Sequence, residues 1–301
     1  MTGTGQMPTA AAASGIGTTT PGTATTPGTA GTPSAVLPGT TGRRPRRGIS
    51  LVYLGIELKR AATRAVTLFF SMIMPILFYV LFGSMQGMNS TAGRGNANAL
   101  MLAFMAFYGA SMTAASESLT VAYERPLGWN RALRLTPMRP ASYIAIKVAT
   151  SLLGALISVG VLYLVAFAWG RAHMPGWMWL AALGIAILGA LTFAAIGQVI
   201  CLFFKPDVAT GLIIPILLIC CFISGVFAIP LSGAFFSAAQ KIVPMGGMVN
   251  LVLAMFGPDA KINAIGGMAP GDWRIWVNIL GWILVAVVAA GWAWSHDTKR
   301  Q

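Results

Sequence analysis

Six apolar runs, each long enough to cross a bilayer, decide what this chain can become. They are Ala65 to Ser84, Ala99 to Tyr123, Ile144 to Trp169, Trp177 to Phe204, Val208 to Phe227 and Ile275 to Trp294. A helix rising about 1.5 Å per residue needs roughly 20 residues to span the hydrocarbon, and every run supplies them. The fourth and fifth are separated only by Lys205, Pro206 and Asp207. Soluble domains carry about 25% charged residues. Here 9% are charged and 56% hydrophobic, so lipid must cover much of the surface. The implied fold class is all-α and integral to the membrane, with six transmembrane helices.

The net charge of +13 falls between the apolar runs, not on one folded face. That pattern argues against a nucleic-acid partner and for cytoplasmic membrane loops. With the N-terminus inside, fifteen Lys and Arg residues lie on the cytoplasmic side against five outside: Arg94, Arg171, Lys241, Lys261 and Arg274. The bias places both termini in the cytoplasm of a multi-pass protein of the cell membrane. Trp169, Trp177, Trp179, Trp273, Trp292 and Trp294 sit at run ends, where indole rings favour the interface.

Residues 1–48 read as a separate tail. Met1 to Gly42 is built almost entirely of Thr, Gly, Ala, Pro and Ser, carries no charge, and predicts disorder. It lacks the positive start and apolar centre of a secretory signal, so we expect it to stay attached and cytoplasmic. Arg43, Arg44, Arg46 and Arg47 come next as a basic cluster that either meets anionic headgroups or serves only as a topology signal. The spanning domain is expected over residues 49–296, with a short cytoplasmic tail at 297–301.

Three segments between the spans are informative. Ile49 to Thr63 reads as an N-terminal interfacial helix, or as the cytoplasmic extension of the first span. Ala234 to Gly257 is apolar enough to suggest a seventh span, but Lys241, Pro244, Gly246 and Gly247 interrupt it. A crossing there would also send Lys299 and Arg300 outside, so one or two short helices dipping into the outer face fit better. The loop between the second and third spans runs from Tyr123 to Pro137. As a helix, Pro126 would suit its first turn and Pro137 would come after its end. Trp129, Ala132 and Leu133 then share one face, with Asn130, Arg131 and Arg134 opposite. Such a helix can set an apolar wedge into a partner's groove, or lie flat on the membrane surface.

This loop resembles the cytoplasmic segment of type-2 ABC exporter permeases, including the antibiotic-resistance branch. The matching residues are Glu124, Arg125, Trp129, Leu133 to Pro137, Tyr143, Lys147 and Val148. Glu57 to Arg60, Arg64 and Pro75 resemble the connecting helix and first span of that family. Ser224 to Phe227, Pro230 and Pro244 resemble its outer-face re-entrant segment. One departure is Pro126-Leu127-Gly128, where many relatives carry a charged triplet.

The resemblance implies a permease that pairs with a second permease chain, identical or different, and binds separate ABC ATPase subunits. Its coupling helix would lie at Pro126 to Thr136, with Glu124, Arg125, Trp129, Arg131, Leu133 and Arg134 as coupling residues. ATP and Mg2+ would reside on the partner, since this chain has no G-x-x-x-x-G-K-[ST] phosphate loop. The implied activity is efflux of a hydrophobic drug or lipid; the alternative is a proton-coupled secondary transporter, which usually needs several intramembrane ionisable groups.

Glu117, within the second run, is the clear ionisable group of that kind. It either lines a translocation pathway or pairs structurally, and Gln198 in the fourth span is a weaker pathway candidate. No catalytic constellation is apparent. Cys201, Cys220 and Cys221 lie inside apolar runs without metal or disulfide spacing, so packing is their expected role. His173 and His296 do not suggest a metal site.

Overall fold

The computed structural model describes residues 65–124, 140–227, 234–257 and 271–297, together with Gly55, Ile56 and Lys59. The chain divides into residues 1–44 and 45–301. The first unit lies outside the described residues, and every element belongs to the second. The described elements are α1 (Ala65–Gly83), β1 (Thr91–Ala92), β2 (Gly95–Asn96), α2 (Ala97–Glu124), α3 (Pro140–Trp169), α4 (Gly176–Phe203), α5 (Pro206–Ser224), α6 (Ala234–Ile242), α7 (Gly246–Phe256) and α8 (Trp273–Asp297).

Four of these, α2 to α5, are long and apolar enough to cross a membrane, and α6 with α7 would make a fifth if the bent pair were one span. The described apolar stretches of α1 and α8, Ser71–Gly83 and Trp273–Ala289, are shorter. The chain is therefore a helical membrane protein. Breaks fall where backbone chemistry puts them. Pro206 opens α5 at a position where a missing N–H costs nothing, and Gly225, with φ 79°, closes it in the left-handed conformation.

Helix α2 is the centre of the bundle. It packs against α1, α3, α4, α5 and α7 and is buried almost throughout, whereas most of α5 is not. It is also the least apolar of the four long helices, because it carries Ser111, Thr113, Ser116, Glu117, Ser118 and Thr120. Protein on every side is what lets those polar groups remain at membrane depth.

Small residues set the close approaches. A Cβ on Gly189 of α4 would lie 2.8 Å from Ser111 Oγ, and one on Gly197 would lie 2.9 Å from Ser118 Cβ. Ser118 Oγ shares its proton between the Ala114 carbonyl of its own helix at 3.0 Å and the Ala194 carbonyl at 3.1 Å, the second bridging α2 to α4. On the opposite side, Gly109 makes room for the Pro75 ring of α1. Phe78, Phe82, Tyr108, Phe222 and Phe227 fill the space between α1, α2 and the end of α5 with edge and tilted ring contacts.

The segment with the ambiguous sequence resolves into two helices, α6 and α7, meeting at 95°. The elbow leaves backbone groups that no helix satisfies, and α8 supplies their partners. Asn278 Nδ2 donates to the Lys241 and Val243 carbonyls at 2.8 and 3.1 Å, and Asn278 Oδ1 accepts from Gly247 N–H at 3.2 Å. Trp282 Nε1 donates to the Ile242 carbonyl at 2.7 Å. Backbone groups freed at a break between helices need such partners wherever water cannot reach them. Gly246 cannot be larger, since a Cβ there would run into the Gln240 carbonyl.

The elements reach two ends. At one, Asn98 joins α1 to α2, accepting from Tyr79 O–H at 2.7 Å and donating to the Gly83 carbonyl at 3.0 Å. The antiparallel β1–β2 hairpin, pairing Thr91 with Asn96 and Ala92 with Gly95, sits there beside the α3–α4 loop and the end of α7. The opposite end gathers the C-terminus of α2 and the N-termini of α3 and α5.

Candidate functional site

At that opposite end, the last residue of α2 meets the second turn of α3. Lys147 Nζ donates to Glu124 Oε1 at 2.8 Å, and both side chains are buried, 3% and 6% exposed. Stripping water from two charges is costly, and this geometry compensates with a charge-assisted hydrogen bond. The Lys147 carbonyl also accepts from Thr150 Oγ1 and Ser151 Oγ, both at 2.9 Å.

One residue earlier, Tyr123 and Thr210 are 3.2 Å apart, oxygen to oxygen, which ties α2 to α5. Thr210 Oγ1 donates its proton to the Pro206 carbonyl at 2.8 Å, so the Tyr123 hydroxyl is the donor between them. The end of α2 is thus fastened to the helix beyond the 125–139 loop and to the start of α5.

Of the coupling residues expected from the sequence, the structure describes Glu124; Arg125, Trp129, Arg131, Leu133 and Arg134 lie outside the described residues. Sequence reasoning singled out Glu124 but did not pair it with Lys147. The spacing of 23 residues across a loop carries no periodic signal, and only a lysine inside an apolar helix start hints at a buried counter-charge. Of the segment Ile49 to Thr63, expected as an interfacial helix or an extension of the first span, only Gly55, Ile56 and Lys59 are described.

Glu117 and Gln198 are both buried. Each adjoins a member of the Ser118–Gly197 contact, so the two lie at one level of the α2–α4 seam. Gln198 Nε2 meets no acceptor among the described residues, nor do Ser111 Oγ, Thr113 Oγ1 and Ser224 Oγ find partners there. Cys201 and Cys221 are buried and Cys220 half-buried, with Cys221 Sγ 3.1 Å from Met245 Sδ. Among the described residues no three of His, Cys, Asp or Glu converge to hold a metal.

Residues 52–257, more than half of the 301-residue chain, match the family model for the ABC-2 type transporter. The chain belongs to the ABC-2 type transporter family. The matched stretch of this ABC-2 protein runs through α1 to α7 and includes the 125–139 loop; α8 lies beyond it. A Bacillus subtilis (strain 168) protein named for a transport-permease role, YvfS, is 26% identical over 157 residues, covering 52% of this chain and 64% of that protein. The aligned region thus spans less than two thirds of that relative. No solved structure matches the chain.

Proposed function

We propose that this ABC-2 chain is the membrane permease subunit of an ATP-driven exporter in the cell membrane. It crosses the bilayer six times with both termini cytoplasmic, and α6–α7 form a re-entrant pair at the outer face. Separate ATPase subunits, carrying ATP and Mg2+, grip a coupling helix at Pro126–Thr136 through Trp129, Leu133 and the arginines beside them. A second permease chain completes the membrane part, and the cargo is a hydrophobic drug-like molecule or lipid.

The observation that carries this reading is the buried Glu124–Lys147 pair, which clamps together the helices entering and leaving a loop inside the family-matched region. A push on that loop would reach α2 without being absorbed by slack at its ends. Because α2 touches five other helices, a tilt of α2 would repack the bundle between discrete arrangements. Exposed apolar residues on α1 and α5, such as Leu77, Leu81 and Ile219, offer a surface for lipid or a second copy. The α8 partners of the elbow support the re-entrant reading, since they satisfy the turn with protein groups rather than water.

A cysteine at Asn130 (Asn130→Cys) tests the orientation. An impermeant maleimide should leave it unmodified in intact cells and react after permeabilisation; reaction in intact cells would sink the proposal. With the chain and its ATPase reconstituted together, Trp129→Ala should uncouple ATP hydrolysis from transport. Transport that continues without ATP and tracks a proton gradient would favour a secondary transporter.

A further inference from the structure

At the hairpin end two cations converge. Arg94, in the β1–β2 turn, and Arg171, in the α3–α4 loop, line one open cleft of about 610 Å³ with Asn89, Thr91, Asn96 and His173. They are 77 positions apart in sequence, so their convergence is a product of folding.

The cleft is held by a built framework. Asn96 Oδ1 accepts from the backbone N–H groups of Ala99 and His173 at 2.9 and 3.0 Å, and Asn96 Nδ2 donates to the Arg171 carbonyl at 2.7 Å. Asn96 N–H donates to the His173 carbonyl at 3.1 Å, so the α3–α4 loop is stitched along the hairpin. Gly95 makes this approach possible, because a Cβ there would lie 2.9 Å from both the His173 carbonyl and the Phe256 ring. Arg94 N–H donates to the Phe256 carbonyl at 2.9 Å, and Arg94 Nη1 to that of Met255 at 3.2 Å.

The guanidinium groups are positioned by aromatic rings: Arg171 lies 4.8 Å from the Trp169 ring centre and Arg94 5.9 Å from that of Trp177. A ring below a guanidinium fixes its plane and leaves its edge donors available. Among the described residues no Asp or Glu lines the cleft, and neither arginine meets a carboxylate. Two cations held in a concave surface without counter-charge concentrate anions there.

We propose that the cleft between the β1–β2 hairpin and the α3–α4 loop binds a phosphate-type oxyanion. Arg94 and Arg171 are its charged donors, and Asn89 and Thr91 its neutral ones. This donor set, spread around the cleft rather than along one edge, suits the tetrahedral arrangement of oxygens around phosphorus better than the flat edge of a carboxylate. Trp169 and Trp177 put the site at headgroup depth, so the oxyanion is either a phospholipid headgroup or a phosphate on a soluble molecule. That the cleft faces outward rests on the orientation proposed above; the binding does not.

Titration calorimetry on the full chain in nanodiscs of neutral phosphatidylcholine tests the site, with inorganic phosphate and short-chain phosphatidylglycerol as separate probes. Saturable binding is expected for at least one probe, weakened about tenfold or more by Arg171→Gln and by Asn89→Asp. The second variant adds a carboxylate to the lining of the same cleft while leaving both guanidinium groups in place, so it stays informative if the arginine variant misfolds. Binding of phosphatidylglycerol alone identifies a lipid headgroup; equal binding of phosphate identifies the free oxyanion. No saturable binding of either probe, or wild-type affinity in Asn89→Asp, overturns the proposal. The Asn130 labelling reports orientation independently, so a failed titration refutes this site and leaves the exporter reading standing.

Discussion

Removing the ammonium from Lys147 takes the 2.8 Å ion-pair partner from a carboxylate whose side chain is 6% exposed. Breaking one half of a buried ion pair typically costs about 3–5 kcal/mol, whereas replacing both halves with neutral side chains of similar volume is close to neutral. Lys147→Met should therefore lower the thermal midpoint of the purified chain sharply, and adding Glu124→Gln should recover most of the loss. If the single variant is as mild as the double, the pair is not a clamp. The same two charges explain why this part of the site was only half legible. A glutamate at the end of an apolar run stands out in the sequence, but which cation it meets depends on how α2 and α3 pack across a loop.

At the scale of the element, the α2–α4 seam is set by glycines whose surroundings differ sharply. Gly197 faces Ser118 so closely that a Cβ would lie 2.9 Å away, while Gly184 on the same helix has open space. Gly197→Val should overpack the seam and destabilise by about 1–3 kcal/mol. Gly184→Ala should be neutral or slightly stabilising, since alanine favours helix by up to about 1 kcal/mol over glycine. Thermal unfolding of both variants checks the contrast, and equal effects would mean that α4 does not approach α2 along this face. Helix positions were legible because apolar length is a one-dimensional signal, and the proline and glycine punctuation at Pro206 and Gly225 marks its ends. The bend of α6–α7 was legible only as an interruption. Its angle comes from Asn278 and Trp282 on a helix far along the chain.

For the whole molecule, lipid acts as solvent, and the depth of a residue in the bundle outweighs its type. Leu162 and Leu164 both lie on α3, yet the first is 2% exposed and the second 71%. Leu162→Ala should cost about 2–5 kcal/mol through the cavity it leaves. Leu164→Ala should shift the midpoint little in a bilayer, because acyl chains refill the space; a large shift would mean that protein covers that face. By itself the sequence determined that the chain is a helical membrane protein, where its helices begin and end, and which loop resembles a coupling segment, because run length and charge placement are local quantities. Which helix lies at the centre was decided by the tertiary structure alone. Lipid cannot satisfy the hydroxyls and carboxylate of α2, so the least apolar long helix is the one enclosed by protein. The pairing of Glu124 with Lys147 and the meeting of Arg94 with Arg171 likewise belong to packing, since short-range electrostatics acts only between groups that folding has brought together.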